Sequence, residues 1–215
     1  MKEKTGDAYI QELIKEGEHQ QQDFKFEISD VCKIAKSLSA FANTDGGRLL
    51  IGVKDNGKIA GVRSEEEQYM IQAAAEMYCV PPVKYKMTTY IVEGKQVLLA
   101  TIQQSERRPV CAKSEDGKLL AYIRIADENI LATPVHLRYW QQSESQCGEL
   151  TVYTEKEQLL LSLLDEHHML TLNKCCKLSK LPRPIAVKLL ARFIRYGIVE
   201  AVYKEQQFFF TQRNS

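Results

Sequence analysis

The stretch FANTDGGRLLIGVKDNGKIAGV, residues 41–62, decides the fold. Phe41 closes a helical series with Val31, Ile34, Ala35 and Leu38, and Asp30 stands where an N-cap belongs. Asn43 to Gly47 ends that helix. Arg48 to Val53 then reads as a buried strand, rich in Leu, Ile and Val. Asp55-Asn56-Gly57 carries hairpin turn chemistry, with Ile59 to Val62 returning. A helix, a glycine pair, an apolar strand and a tight turn in such close order describe an α+β fold.

The neighbouring residues extend the pattern. Ala8 to Glu16 predicts a helix that stops at Gly17, and Gln20 to Phe26 a strand. Ser64 opens another helix, with acids at 65–67 in its first turn, where the helix dipole favours them. Strands follow at about 83–92, 95–102 and 119–125. The sheet is expected to be mixed or mostly antiparallel, with helices packed on it. Residues 141–150, QQSESQCGEL, are small and polar and read as a linker between a domain over 1–140 and another over 151–215.

The tail has a different rhythm. Glu155 to His167 predicts a helix with Leu159, Leu160, Leu163 and Leu164 inward, and Leu172 to Ser179 a short second one. Arg183-Pro184 opens a third, capped by Gly197. Ile198 to Tyr203 and Phe208 to Thr211 flank a turn at 204–206. Three helices and a hairpin make a winged helix-turn-helix. In the third helix Ala186, Leu189, Leu190, Phe193 and Ile194 share one stripe, and Lys188, Arg192 and Arg195 the opposite one. From Thr171 to Arg195 the chain has seven basic residues and no acidic one. An apolar back and a cationic front suit a helix that enters a DNA groove. Arg183, Lys188, Arg192, Arg195 and the wing residue Lys204 are the candidate contacts.

Charge agrees with that division. The chain has 215 residues and net charge +1; from residue 151 on there are ten Lys/Arg against six Asp/Glu, so the tail is the basic part. The six cysteines form no Cys-x-x-Cys pair, no signal peptide is evident, and no apolar run reaches membrane length. These features predict a reduced, cytoplasmic protein without a membrane partner. No phosphate-loop motif is present, so ATP is not supported as a cofactor.

Gly17-Glu18, Asp23-Phe24-Lys25, the block Ala40-Phe41-Ala42-Asn43-Thr44-Asp45-Gly46-Gly47, and Gly52-Val53-Lys54-Asp55-Asn56-Gly57 together resemble the Schlafen-type Alba-like domain. Residues 107–132 look like its closing strands, so the resemblance covers about 8–135. It implies an α+β nucleic-acid-binding domain, as in bacterial transcriptional regulators that carry a C-terminal winged helix. Some animal relatives are endoribonucleases that use three acidic residues. By motif those acids fall on Glu18, Asp23 and Asp55, where they would hold Mg²⁺ or Mn²⁺ while Lys25 neutralises phosphate. The expectation is a non-enzymatic, DNA-binding homodimer with no cofactor. The alternatives are a metal-dependent ribonuclease built on those acids and a non-catalytic dimerisation module.

Overall fold

The computed structural model of the chain describes residues 6–62, 64–143 and 153–213. The linker assigned to 141–150 lies outside the described residues from 144 on, and residues 141–143 are helical instead. The chain forms two compact units, Met1–Leu131 and Ala132–Ser215.

The first unit runs α1 (Gly6–Glu16), β1 (Gln22–Lys25), α2 (Val31–Asn43), β2 (Gly47–Ile51), α3 (Glu66–Glu76), β3 (Cys79–Val80), β4 (Tyr85–Val92), β5 (Lys95–Ile102), β6 (Cys111–Lys113), β7 (Leu119–Ile125) and β8 (Glu128–Leu131). One sheet has the order β1-β2-β5-β4, with β1 and β2 parallel and the other pairs antiparallel. The second, β3-β6-β7-β8, is antiparallel throughout. The first sheet is buried on both faces, which is why its central strands read as unbroken apolar runs. Leu49, Ile51, Leu98 and Ala100 face α2 and α3, while Leu50, Val97 and Leu99 face α1.

Helix α2 is the hub. Asp30 caps it, its Oδ1 accepting from the Cys32 N–H at 2.8 Å. From Ser37 to Asn43 every residue is buried, because both sheets pack around this segment. Small residues (Ser37, Ser39, Ala40, Ala42) let the backbone approach, and the polar ones have partners. The Asn43 side chain donates to the carbonyls of Val110 (2.8 Å) and Tyr122 (2.9 Å) and accepts from the Val110 N–H (2.7 Å). The Ser39 hydroxyl joins the same two residues. Thr44 Oγ1 donates to Ala40 and accepts from the Arg124 N–H. The Ala-Phe-Ala-Asn-Thr block is therefore a polar seam between α2 and the strands of the second sheet.

The glycine pair has two different reasons to exist. Gly46 has φ +69°, and a side chain there would also meet the Ile102 carbonyl at 2.7 Å. At Gly47 a Cβ would lie 2.3 Å from the buried Phe41 ring. The Asp55-Asn56-Gly57 turn forms, with the Gly57 N–H on Lys54 O at 2.7 Å. The expected hairpin is shorter than the sequence predicts. It shortens to a Val53–Ile59 bridge, flanked by the Lys54 N–H on Lys58 O and the Ala60 and Gly61 N–H groups on Gly52 O.

The second unit contains α4 (Pro134–Ser143), α5 (Glu155–His167), β9 (Leu170–Thr171), α6 (Leu172–Ser179), α7 (Arg183–Arg195), β10 (Val199–Lys204) and β11 (Gln207–Gln212). The strands pair antiparallel in the order β10-β11-β9. Its core joins Leu160, Leu164, Leu190 and Phe193 with Phe210, and Val135 of α4 belongs to it. The unit therefore begins near residue 132, earlier than the expected boundary. Leu159 is exposed, while Leu160 and Leu164 are buried and Leu163, partly buried, packs against the same core. Among the described residues no helix is long and apolar enough to cross a membrane.

Two outcomes are expected. Gly47→Ala costs about 1–3 kcal/mol by overpacking against Phe41, read as a lowered urea midpoint. The second concerns His136, whose ring lies against Phe208 at 4.6 Å with Nδ1 2.7 Å from Thr133 Oγ1. Burial pushes this imidazole down to about 4. The unfolded chain then binds the proton first, so stability is lost as pH falls from about 6.5 towards 4, by up to about 3 kcal/mol. Melting curves across that window are flatter for His136→Gln than for the native chain.

Candidate functional site

The acids implied by the resemblance divide two to one. Glu18 follows α1 and turns back along β1, its Oε1 accepting from the Phe24 N–H at 2.9 Å. Burial, and after it a hydrogen bond with Asp23, push Glu18 above its ordinary value; the Phe24 amide and Lys25 act the other way. Asp23 is 4% exposed. Lys25 Nζ lies 2.9 Å from one of its oxygens and Arg124 Nη2 3.5 Å from the other. Two carboxylates and two cations thus meet at one place.

Asp55 does not join them. It is exposed at the turn after β2, and among the described residues no three His, Cys, Asp or Glu side chains are grouped to hold a metal ion. Glu18, Asp23 and Asp55 are therefore not assembled as a metal triad. Asp55 occupies a turn position that suits aspartate, beside Asn56, whose Oδ1 accepts from the Lys58 N–H at 3.1 Å. Lys25 is engaged too, bonding Asp23 and donating to the Phe24 carbonyl at 2.8 Å.

Arg124 is the member that sequence reasoning missed. It is 1% exposed, with Nη1 on Asn129 Oδ1 at 3.0 Å, Nη2 on the Gln22 carbonyl at 3.2 Å, and its guanidinium 5.1 Å from the centre of the Phe41 ring. It lies in the Tyr-Ile-Arg run of β7, and only long-range pairing brings it to β1. Burying a charge demands a partner, and Asp23 supplies it.

In the second unit the basic residues also divide. Arg192 is 13% exposed and ion-paired with Glu157 of α5. Glu157 also takes the Thr154 amide and hydroxyl at the start of α5. Burial pushes Glu157 up, but the Thr154 and Arg192 hydrogen bonds outweigh it and hold the carboxyl below its ordinary value. Arg192 therefore fastens α7 to α5, and the expected stripe of Lys188, Arg192 and Arg195 is not continuous. Arg195 is half-buried.

The exposed cations lie nearer the N-terminal end of α7. Arg183 and Lys188 of α7 are exposed, as are Lys174 and Lys177 of α6 and Lys180 in the turn between. Thr171 caps α6 through the Lys174 N–H, and Lys180 ends it in a left-handed conformation at φ 55°. Arg183 Nη1 donates to Asn173 Oδ1 at 2.6 Å, tying the start of α7 to α6. Lys204 is exposed at the end of β10, with Glu205 beside it in the turn. The count of basic residues from Thr171 had already included Lys174, Lys177 and Lys180. Helical spacing alone cannot tell a solvated arginine from a paired one, which is why Arg192 shared a stripe with Lys188 in the sequence.

The family described as Schlafen, AlbA_2 matches residues 18–133, just over half of the chain. No curated protein matches. The crystal structure of the DIP2311 protein from Corynebacterium diphtheriae is similar at 19% identity and TM-score 0.46, over 69% of this chain and 35% of that one. This chain thus spans about a third of that protein. The solution structure of the N-terminal domain of a RecG-related protein from Nitrosomonas europaea is similar at 19% identity and TM-score 0.41, over 71% of this chain and 100% of that one.

Two substitutions separate the acids. Asp23→Asn leaves the Arg124 charge buried without its counter-ion and costs about 3–5 kcal/mol in urea unfolding. Asp55→Asn stays within about 0.5 kcal/mol of the native chain.

Proposed function

The chain belongs to the Schlafen, AlbA_2 family, and we propose that it is a nucleic-acid-binding protein whose second unit contacts duplex DNA. The observation that carries this reading is the run from Thr171 to Arg195. It has no acid, and five of its seven basic side chains are exposed on α6, the following turn and the first half of α7. In this reading α5, α6 and α7 with the β10–β11 hairpin act as a winged helix-turn-helix. The N-terminal half of α7 enters the major groove, and Lys174, Lys177 and Lys180 meet the flanking phosphates. Lys204 serves from the wing. Arg192 sets the angle of α7 and touches no phosphate.

The biological role that fits is a cytoplasmic transcriptional regulator acting as a homodimer, since helix-turn-helix readers bind paired half-sites. The ribonuclease alternative draws no support from the acids: Asp23 is neutralised from both sides by Lys25 and Arg124, and Asp55 stands apart.

The test is fluorescence anisotropy with a labelled duplex over a range of salt. Affinity falls steeply with salt, by close to one power per phosphate contact. Lys177→Ala, Lys180→Ala and Lys188→Ala combined flatten that dependence by about two to three powers. Arg192→Ala acts mainly by lowering the melting temperature. Binding that is insensitive to salt, or unchanged in the triple variant, contradicts the assignment.

A further inference from the structure

Strand β4 is the outer strand of the first sheet and the longest edge in the first unit. Its sequence, YKMTTYIV, has no proline, and its register with β5 runs without a bulge from Tyr85↔Ile102 to Val92↔Lys95. Proline and bulges are two of the devices that blunt an edge; of the others β4 carries a single charged side chain, Lys86. The other outer strands of this unit are short: β1 and β8 have four residues each and β3 has two.

The hairpin fixes which backbone groups face outward. Glu93 and Gly94 form a two-residue turn with φ of 52° and 72°. The pair that closes such a turn, here Val92 and Lys95, exchanges both its hydrogen bonds. Counting back in twos, Lys86, Thr88, Tyr90 and Val92 bond to β5. Tyr85, Met87, Thr89 and Ile91 direct their N–H and C=O groups out of the sheet. Gln96 confirms the phase: it sits opposite Ile91 and accepts from the Val62 N–H at 2.7 Å, on the side away from β4. The outward set has no backbone partner among the described residues.

We propose that β4 pairs antiparallel with β4 of a second copy of this chain, about a two-fold axis at Thr88, so that the two sheets become one. An axis normal to the sheet keeps like faces together, so a residue pairs only with one of its own parity. Centred on Thr88, Tyr85 lies opposite Ile91 and Met87 opposite Thr89, twice over. All four outward residues are then satisfied. Centred on Thr89, Tyr85 falls opposite the turn and is lost from the ladder.

The side chains favour the same register. Ile91 is 63% exposed, and the Tyr85 ring of the other copy covers it. Lys86 comes to lie across from Tyr90, a cation beside an aromatic face, and no two like charges are opposed. The inference depends on the sheet alone and is independent of the reading of the basic surface.

The test uses the full chain in sedimentation velocity across a dilution series. The native protein is expected to dimerise. Thr89→Pro removes an outward N–H without taking a bond from β5, and Ile91→Lys changes only an exposed side chain. Each should weaken the dimer about tenfold or more while the circular dichroism stays native. Thr88→Cys should give a reducible covalent dimer, because residues opposed at a non-bonded antiparallel pair approach to about 4.5 Å between Cα atoms. Thr89→Cys should not. A native chain that stays monomeric at every concentration overturns the proposal. So does a dimer untouched by Thr89→Pro and Ile91→Lys, or a Thr88→Cys chain that does not cross-link.

Discussion

A guanidinium with almost no access to water governs the first unit. Burying the Arg124 charge is costly unless an anion and acceptors stand within reach. Asp23 of β1, Asn129 of β8 and the Gln22 carbonyl meet that demand, and Phe41 of α2 lies under the cation. One side chain of the second sheet thereby fastens the first strand of the other sheet and the central helix. The Ala-Phe-Ala-Asn-Thr block serves the same junction, since Thr44 takes the Arg124 amide and Asn43 takes Val110 and Tyr122. Residues that look chemically active in the sequence are here the means of joining two sheets around a helix.

A division of labour between the units follows. In the first, four charges gather beside β1 and oppose one another: Glu18 and Asp23 against Lys25 and Arg124. In the second, one cation, Arg192, is consumed by Glu157, and five others on α6, the turn and α7 remain exposed. A polyanion is attracted by charge that is solvated and unopposed. That condition holds along Lys174, Lys177, Lys180, Arg183 and Lys188.

Much of this was readable from sequence. Periodicity and caps located α2, α5, α6 and α7 to within a residue or so, and β5 and β7 matched their expected spans. The two-residue strands β3 and β9 were invisible because two residues carry no period, whereas four-residue β1 fell within the strand expected over Gln20 to Phe26. Helix α4 was split by the boundary drawn near residue 140. Its few buried positions, Val135 and Trp140, are spaced within a polar sequence. The site was less legible than the fold. The motif singled out Asp23 but gave no sign of its ion-pair partner Arg124, which is 101 positions away and supplied by sheet assembly. Asp55 and Arg192 are ambiguous in the sequence for complementary reasons. A turn aspartate resembles a ligand, and a buried ion-pair arginine resembles a phosphate contact, until the residue opposite is known.

The most direct measurement is amide hydrogen exchange on the full chain with and without saturating duplex DNA. Protection that concentrates on Thr171 to Lys188 and on the turn after Lys204, with Glu18 to Lys25 unchanged, is the predicted result. Protection centred on Glu18 to Lys25 and Lys54 to Lys58, with the second unit unaffected, would place the polyanion on the first unit and contradict the division of labour.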